Sequence, residues 1–251
     1  MSIKRTALAA LAAVVMAAGA CAADFPAYLK MEGTKVVGYD KNRLPADLVI
    51  PEGVTEIGWR AFFDCEDIRS VTIPSSVKEI GPDAFLSCGG LTRLTIAEGV
   101  TTMWSSAFRA CPSLTEISIP RSIKSIGYST FECCTGLTSV TIPGTVGVVM
   151  NGLFARCTGL ESVVIEEGVT EIEPTAFQEC LWLERVSIPV SVKKIGEWAF
   201  FGCEELRDVD YAGTKKQWKA IKSPKNTRST SAPFMEGMGT VVHCTDGDIT
   251  L

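Results

Sequence analysis

A single histidine, His243, stands in this chain of 251 residues. Structural zinc needs about four converging Cys or His ligands, usually in short paired spacings. No C-x-x-C pair is present, so no metal centre is expected. A Ser-His-Asp arrangement would have one possible base and no recognisable nucleophile motif. The residues around His243 alternate as in a terminal strand, which makes it incidental. No Gly-rich loop precedes a long helix, so a phosphate cradle is missing as well. Beyond the N-terminus no apolar run is long enough to span a bilayer. Basic residues are outnumbered, 24 against 29 acidic, and the net charge of -5 disfavours nucleic acid as a partner. Glu166-Glu167 and Glu204-Glu205 pair carboxylates at turn positions without a predicted cleft and are taken as solvated charges. Without a base, a nucleophile or a cofactor loop, the chain is not expected to be an enzyme or to carry a cofactor.

What is present points to a folded, exported protein. Hydrophobic residues make up 46% of the chain and charged residues 21%, enough to bury an ordinary core. Lys4 and Arg5 precede an apolar or small run from Ala7 to Ala20, and Ala22-Ala23 follows. This has the form of a secretory signal peptide over 1–23, too short at 14 residues to anchor as a helix of about 20. Cys21 follows Ala-Gly-Ala, loosely like a lipoprotein signal, but Ala18 replaces the branched residue usual there; a lipid anchor at Cys21 is the weaker alternative. Removing the leader takes away Lys4 and Arg5 and no acid, so the charge falls to -7.

From Pro45 to Glu205 one pattern returns every 23 residues, seven times over 161 residues, without insertion or deletion. Ile50, Ile73, Ile96, Ile119, Ile142, Ile165 and Ile188 hold one place; Phe62, Phe85, Phe108, Phe131, Phe154, Phe177 and Phe200 a second; Cys65, Cys88, Cys111, Cys134, Cys157, Cys180 and Cys203 a third. One turn cannot bury its own apolar face, but stacked turns place like above like with strands about 4.8 Å apart, which predicts a body about 34 Å long. The expected fold is a right-handed leucine-rich-repeat solenoid with a parallel sheet on one face and short helical turns on the other. Val71-Thr72-Ile73 alternates as a strand with one buried face, and Pro74 and its counterparts end the sheet because proline cannot donate to a ladder. Gly81 is assigned to a conformation costly for other residues, so Trp104, Met150 and Glu173, which replace it, should bend their turns differently. Ala84-Phe85 and Cys88 have the spacing of a single helical turn.

Residues 24–44 carry a hairpin, Tyr28–Met31 with Thr34–Val37 about Glu32-Gly33, which would cap the first edge. Residues 206–251 form the far cap. Leu206, Val209 and Tyr211 continue the strand pattern, and Thr214 begins a helix that runs through Trp218 to Ile221. Ser, Pro, Gly and Lys dominate near 223–239 and predict a mobile loop before a last strand at Thr240–Cys244.

The repeat L-x-x-V-x-I-P-x-x-V-x-x-I-G-x-x-A-F-x-x-C, here Ile68–Cys88 and its copies, resembles the BspA-like class of bacterial leucine-rich repeats, and Tyr211–Ile221 is similar to the segment that commonly closes them. The resemblance implies a secreted or surface protein whose business is interaction, adhesion in some members, without naming a partner.

Ten cysteines in an exported chain suggest disulfides, but seven lie on one ladder, where burial as free thiols suits a small hydrophobe; disulfides stay open because stacked Cα atoms fall within bridging range. Cys133 and Cys244, off the ladder, are the candidates for reactivity. Lys215, Lys216, Lys219, Lys222, Lys225 and Arg228 form a basic stretch, taken as a solvated cap. Trp59, Trp104, Trp182 and Trp198 are either binding platforms or packed between turns. The best candidate surface is the outward row of strand side chains: Ser70, Thr72, Arg93, Thr95, Glu116, Ser118, Ser139, Thr141, Ser162, Arg185 and Ser187. Together they should make a flat, hydroxyl-rich sheet able to take a protein or glycan ligand; the competing expectation is a purely structural envelope or matrix component.

Overall fold

The computed structural model describes residues 25–223, Phe234 and 239–251. The expected signal peptide and Cys21 lie outside these residues, as does most of the expected mobile loop. The 23-residue repeat folds as a mainly β solenoid in which each turn crosses two sheets. Turn 1 is residues 45–67, and each later turn follows at the same interval to turn 7, residues 183–205.

The first sheet face is built from Asp47–Val49, Ser70–Ile73, Arg93–Ile96, Glu116–Ile117, Ser139–Ile142, Ser162–Ile165 and Arg185–Ile188, one strand per turn. Pairing is parallel, with like positions opposite one another: Val71 with Leu94, and Val140 with Val163. Val71 and Ile73 are buried and Thr72 between them is exposed. Proline closes five of these strands. Where Ala97 and Glu166 stand instead, their N–H groups donate to Ile73 and Ile142 of the turn before, so the ladder gains the bond that proline forgoes.

A second sheet runs through two-residue strands such as Glu79–Ile80, Thr102–Met103 and Ser125–Ile126. The glycine after them is not held by its φ. Gly58, Gly81, Gly127 and Gly196 all lie outside the left-handed region. A Cβ at Gly81 would instead stand 2.7 Å from the Ile57 carbonyl oxygen, so close approach between turns is the constraint. Trp104 and Glu173 nonetheless make the bond to the preceding turn that Gly81 makes, so the different bend expected of them is not found; Met150, the third replacement, does not make it.

The helical turn expected at Ala84–Cys88 is also not formed, and the repeats contain no α-helix. Each turn instead places two residues in the left-handed region: one of Arg60, Asp83, Ser106, Ser129, Gly152, Thr175 and Trp198, then one of Asp64, Ser87, Ala110, Cys133, Arg156, Glu179 and Gly202. Twelve of the fourteen are not glycine, with φ between 52° and 63°. This conformation costs about 1–2 kcal/mol for an ordinary residue. What offsets it is a third inter-turn ladder. The N–H of Ala84 folds back on Gly81, whereas those of Asp83, Phe85 and Ser87 donate to Ser105, Ala107 and Arg109 of the next turn at 3.1, 2.7 and 2.9 Å. A helix would turn all of these donors inward and leave the turns unjoined on this side.

Thr175, β-branched at φ 56°, carries the most strain of the series. Thr175→Gly is expected to leave stability unchanged or raise it by about 1 kcal/mol, although glycine in an ordinary extended segment costs about that much. Gly152→Val, at φ 62°, should be destabilising. Urea titration of the pair checks this, and a clear loss in Thr175→Gly would contradict the strain account.

Inside, the phenylalanines form one column of near-parallel rings, capped at one end by Tyr39 and at the other by Phe234, with centroids 4.9–5.7 Å apart. The cysteines stack beside it as free thiols. From Cys88 to Cys203 each ladder thiol donates to the phenylalanine carbonyl of the turn before, at 3.1–3.3 Å. A thiol therefore fills the column and satisfies a buried acceptor, which alanine would not.

Leu29–Glu32 and Lys35–Tyr39 form an antiparallel hairpin, and its second strand pairs with Glu56–Ile57 of turn 1. At the far end Asp208–Tyr211 and Val241–Cys244 extend the first face, and Gly247–Thr250 turns back antiparallel as its last strand. The helix Lys215–Ala220 starts at Thr214, whose hydroxyl accepts from Gln217 N–H while the Gln217 side chain accepts from Thr214 N–H.

Candidate functional site

All eleven outward residues lie on the first face. Register stacks Ser70, Arg93 and Glu116 in one row, and Ser139, Ser162 and Arg185 in its continuation. Thr72 and Thr95 form the second row, and Thr141, Val164 and Ser187 continue it; Ser118 lies just past the strand of turn 4. Ser70, Ser162 and Ser187 are half-buried and the other eight are exposed. The Ser70 hydroxyl is engaged, donating to the Asp47 carboxylate. Val49 and Val164 add two exposed apolar side chains.

The expected single flat sheet is not what these residues form. Both sheets stop between turns 4 and 5: Glu116–Ile117 pairs with turn 3 but not with Ser139–Ile142, and Ser125–Ile126 does not pair with Val148–Val149. The cause lies in the corners. Arg121 and Ser122 of turn 4 donate their N–H groups to the Glu98 carboxylate at 3.0 and 2.8 Å, which ties that corner back to turn 3. Those two bonds hold the Glu98 carboxyl below its usual range. Turn 5 leans the other way. Its corner, Gly144–Val146, is a short 3-10 helix that ends on Gly147 at φ 69°. A Cβ at Gly144 would fall 1.8 Å from the Glu167 carbonyl oxygen, an approach to turn 6 that only glycine permits.

The result is a wedge-shaped seam. Its cavity, about 300 Å³, is lined by Ile117, Ser118, Ile119, Arg121, Ser139, Val140, Thr141, Pro143 and Glu166. The Arg121 guanidinium reaches over turn 5 to the Glu166 carboxylate of turn 6. On the far side the turns stay joined: Ser129, Phe131 and Cys133 donate to Asn151, Leu153 and Ala155 at 3.0, 3.0 and 2.9 Å.

The C-terminal end of the face carries more charge than the hydroxyl-rich sheet expected there. Arg185 pairs with Asp208 at 3.2 Å and with Asp210 at 3.7 Å. His243 lies between Asp208, 2.9 Å from Nε2, and Asp248, 3.1 Å from Nδ1. Bonding to Asp208, then to Asp248, raises the histidine pKa, while His243 and then Arg185 lower that of Asp208. Both ring nitrogens are occupied, so His243 has a structural place in a charge network and no free nitrogen for a base. Sequence reasoning set His243 aside; the signal that could have found it is that Asp208, Asp210 and His243 continue the two outward rows beyond the last repeat.

The family model for the BspA type leucine rich repeat region matches residues 41–161 and 124–223. The chain belongs to the BspA-type leucine-rich repeat family. Among solved structures, a leucine-rich repeat protein of Bacteroides ovatus is similar over 80% of this chain, with 24% identity and a TM-score of 0.55, and the chain spans 65% of that protein's length. The T. pallidum leucine-rich repeat protein aligns with 26% identity over 81% of this chain and 84% of its own, TM-score 0.53. A Eubacterium ventriosum leucine-rich repeat protein aligns with 22% identity over 81% and 69%, TM-score 0.55. None of the curated proteins matches it in sequence.

Within this BspA-type chain the remaining candidates sort by geometry. Cys133 and Cys244 are half-buried, and burial pushes both thiols up, away from the thiolate that reactivity needs. Of the two expectations for Trp59, Trp104, Trp182 and Trp198, packing between turns is not what the structure shows: all four are exposed. The Arg60 guanidinium covers the Trp59 and Phe63 rings at 5.0 and 4.8 Å, and Trp104 Nε1 donates to Glu79. Lys215 caps toward the last hairpin, its N–H donating to Asp246 at 2.7 Å; Lys225 and Arg228 lie outside the described residues. No group of three metal-ligating side chains comes together among the described residues.

Proposed function

We propose that this BspA-type chain is an exported, non-catalytic interaction protein that binds a protein or glycan through the first sheet face, in the manner of an adhesin. The observation that carries it is the face itself. Turns 1 to 4 and turns 5 to 7 each set two rows of outward, mostly polar side chains at ladder spacing, with exposed Arg93, Arg185 and Val164 among hydroxyls, on a scaffold whose other side is closed core. Such rows suit an extended ligand that repeats along the stack. Export rests on Lys4-Arg5 and the apolar run from Ala7 to Ala20, and places the protein in the medium or at the cell surface.

The test is a screen of the protein against immobilised extracellular-matrix proteins and glycans at physiological salt. A saturable hit that Arg93→Glu weakens by about tenfold or more supports the face, since reversing one charge at a contact costs about 1.4 kcal/mol or more. Arg185→Glu is the companion variant, checked by its melting temperature because it also breaks the pairs to Asp208 and Asp210. A hit that both variants retain removes this face from consideration.

A further inference from the structure

The seam between turns 4 and 5 is the place on the first face where the strands of neighbouring repeats lie side by side without pairing. Main-chain donors and acceptors of both edges are left to the cleft. Three hydroxyls, of Ser118, Ser139 and Thr141, line it and have no protein partner among the described residues, unlike those of Thr92 and Thr115, which donate to the turn before. Ile119, Val140 and Pro143 supply an apolar floor, and the Arg121–Glu166 pair crosses one end with its charges cancelled.

A cleft with this lining favours a neutral ligand that offers many donors and acceptors on one edge and C–H groups on one face. A pyranose ring has that chemistry. The volume, about 300 Å³, lies at the small end of ligand pockets and has room for one ring rather than a chain. An inserted peptide strand is disfavoured, because it needs two ladder spacings, about 9.6 Å. The bonds from Ser129, Phe131 and Cys133 and the Cys157 thiol on Phe131 hold the two turns together at the back, so the gap is a wedge and not a slot.

We propose that the seam is a glycan subsite that takes one neutral pyranose ring. Ser118, Ser139, Thr141 and the Arg121–Glu166 pair grip the hydroxyls, and Ile119 with Pro143 meets the ring face. This rests on the binding function proposed above and narrows it to a glycan at one locus.

The experiment is a titration of the protein with the methyl pyranosides of glucose, galactose, mannose and N-acetylglucosamine, followed by backbone amide NMR shifts. At least one sugar is expected to give saturable shifts at the amides of 117–119, 121–122, 139–142 and 144, with a Kd on the order of millimolar, as a ligand of about a dozen heavy atoms allows. The double variant Ser118→Ala with Thr141→Val should weaken this about tenfold with the melting temperature unchanged, since both hydroxyls point outward. Arg121→Gln should also weaken it. Absence of shifts with all four sugars, shifts confined to the exposed tryptophans, or undiminished binding by the double variant overturns the subsite. Failure of the broader function is separately visible. A matrix hit lost in Arg93→Glu but kept in the double variant overturns the seam and leaves the face, whereas sugar shifts at the seam without any array hit support the seam alone.

Discussion

Phe131→Ala is expected to destabilise the protein by about 3–5 kcal/mol and to split its unfolding into two transitions. The first part follows from burial: Phe131 is fully buried, stacked at 5.7 Å on Phe108 and 5.4 Å on Phe154, and truncation leaves a cavity in a close-packed column. The second part follows from where it sits. In other repeats three ladders and the core join adjacent turns, but between turns 4 and 5 both sheets are interrupted, and what remains is the core, including the Phe131 ring, the three bonds from Ser129, Phe131 and Cys133, and the Cys157 thiol on the Phe131 carbonyl. A repeat protein's stability is a sum of turn and interface terms, so its cooperativity breaks at the weakest interface. Phe85→Ala removes the same ring from a place with all ladders intact and should lower the urea midpoint with the slope unchanged. Identical single transitions with equal slopes for both variants would show that the seam is not a weak joint.

Deleting Leu206–Leu251 should cost more than the length of the segment suggests. Leu206, Val209, Tyr211, Ile221 and Val242 are buried there, each worth about 1.5–3 kcal/mol, and Phe234 closes the ring column over Phe200. Removal also exposes the strand Arg185–Ile188 by taking away its parallel partner Asp208–Tyr211. Hydrogen exchange is the measurement. Protection should fall across turns 6 and 7 and fade toward the seam, while turns 1 to 4 keep theirs because the interrupted sheets transmit little of the loss. Unchanged protection in 183–205 would contradict the cap's role.

Much of this architecture is legible in the sequence because stacking gives each repeated place a single environment. Isoleucine at every sixth place, and phenylalanine and cysteine at fixed ones, mark side chains that meet their own kind, and Thr214 with Gln217 marks a helix start by local chemistry. Asp83, Ser87 and Thr175 carry no such mark. Their left-handed φ follows from the need to send alternate N–H groups to the next turn, a demand made by the neighbour and not by the residue. For the same reason Gly81, whose constraint is an approaching carbonyl, looks in sequence like a glycine needed for its φ.

The candidate face divides along the same line. Alternation alone set which side chains face outward, because a strand with one buried side has no other choice. The seam came only from tertiary structure. Gly144 differs from Ser75 at the equivalent corner of turn 2 by one small side chain, and nothing local says that its absence draws turn 5 onto the Glu167 carbonyl while Glu98 holds turn 4 back. The period of the sequence determined a stack of turns, their buried columns and their exposed rows. Whether the sheets of neighbouring turns pair was decided by contacts between corners 23 or 24 residues apart, which packing settles and a repeat motif does not contain.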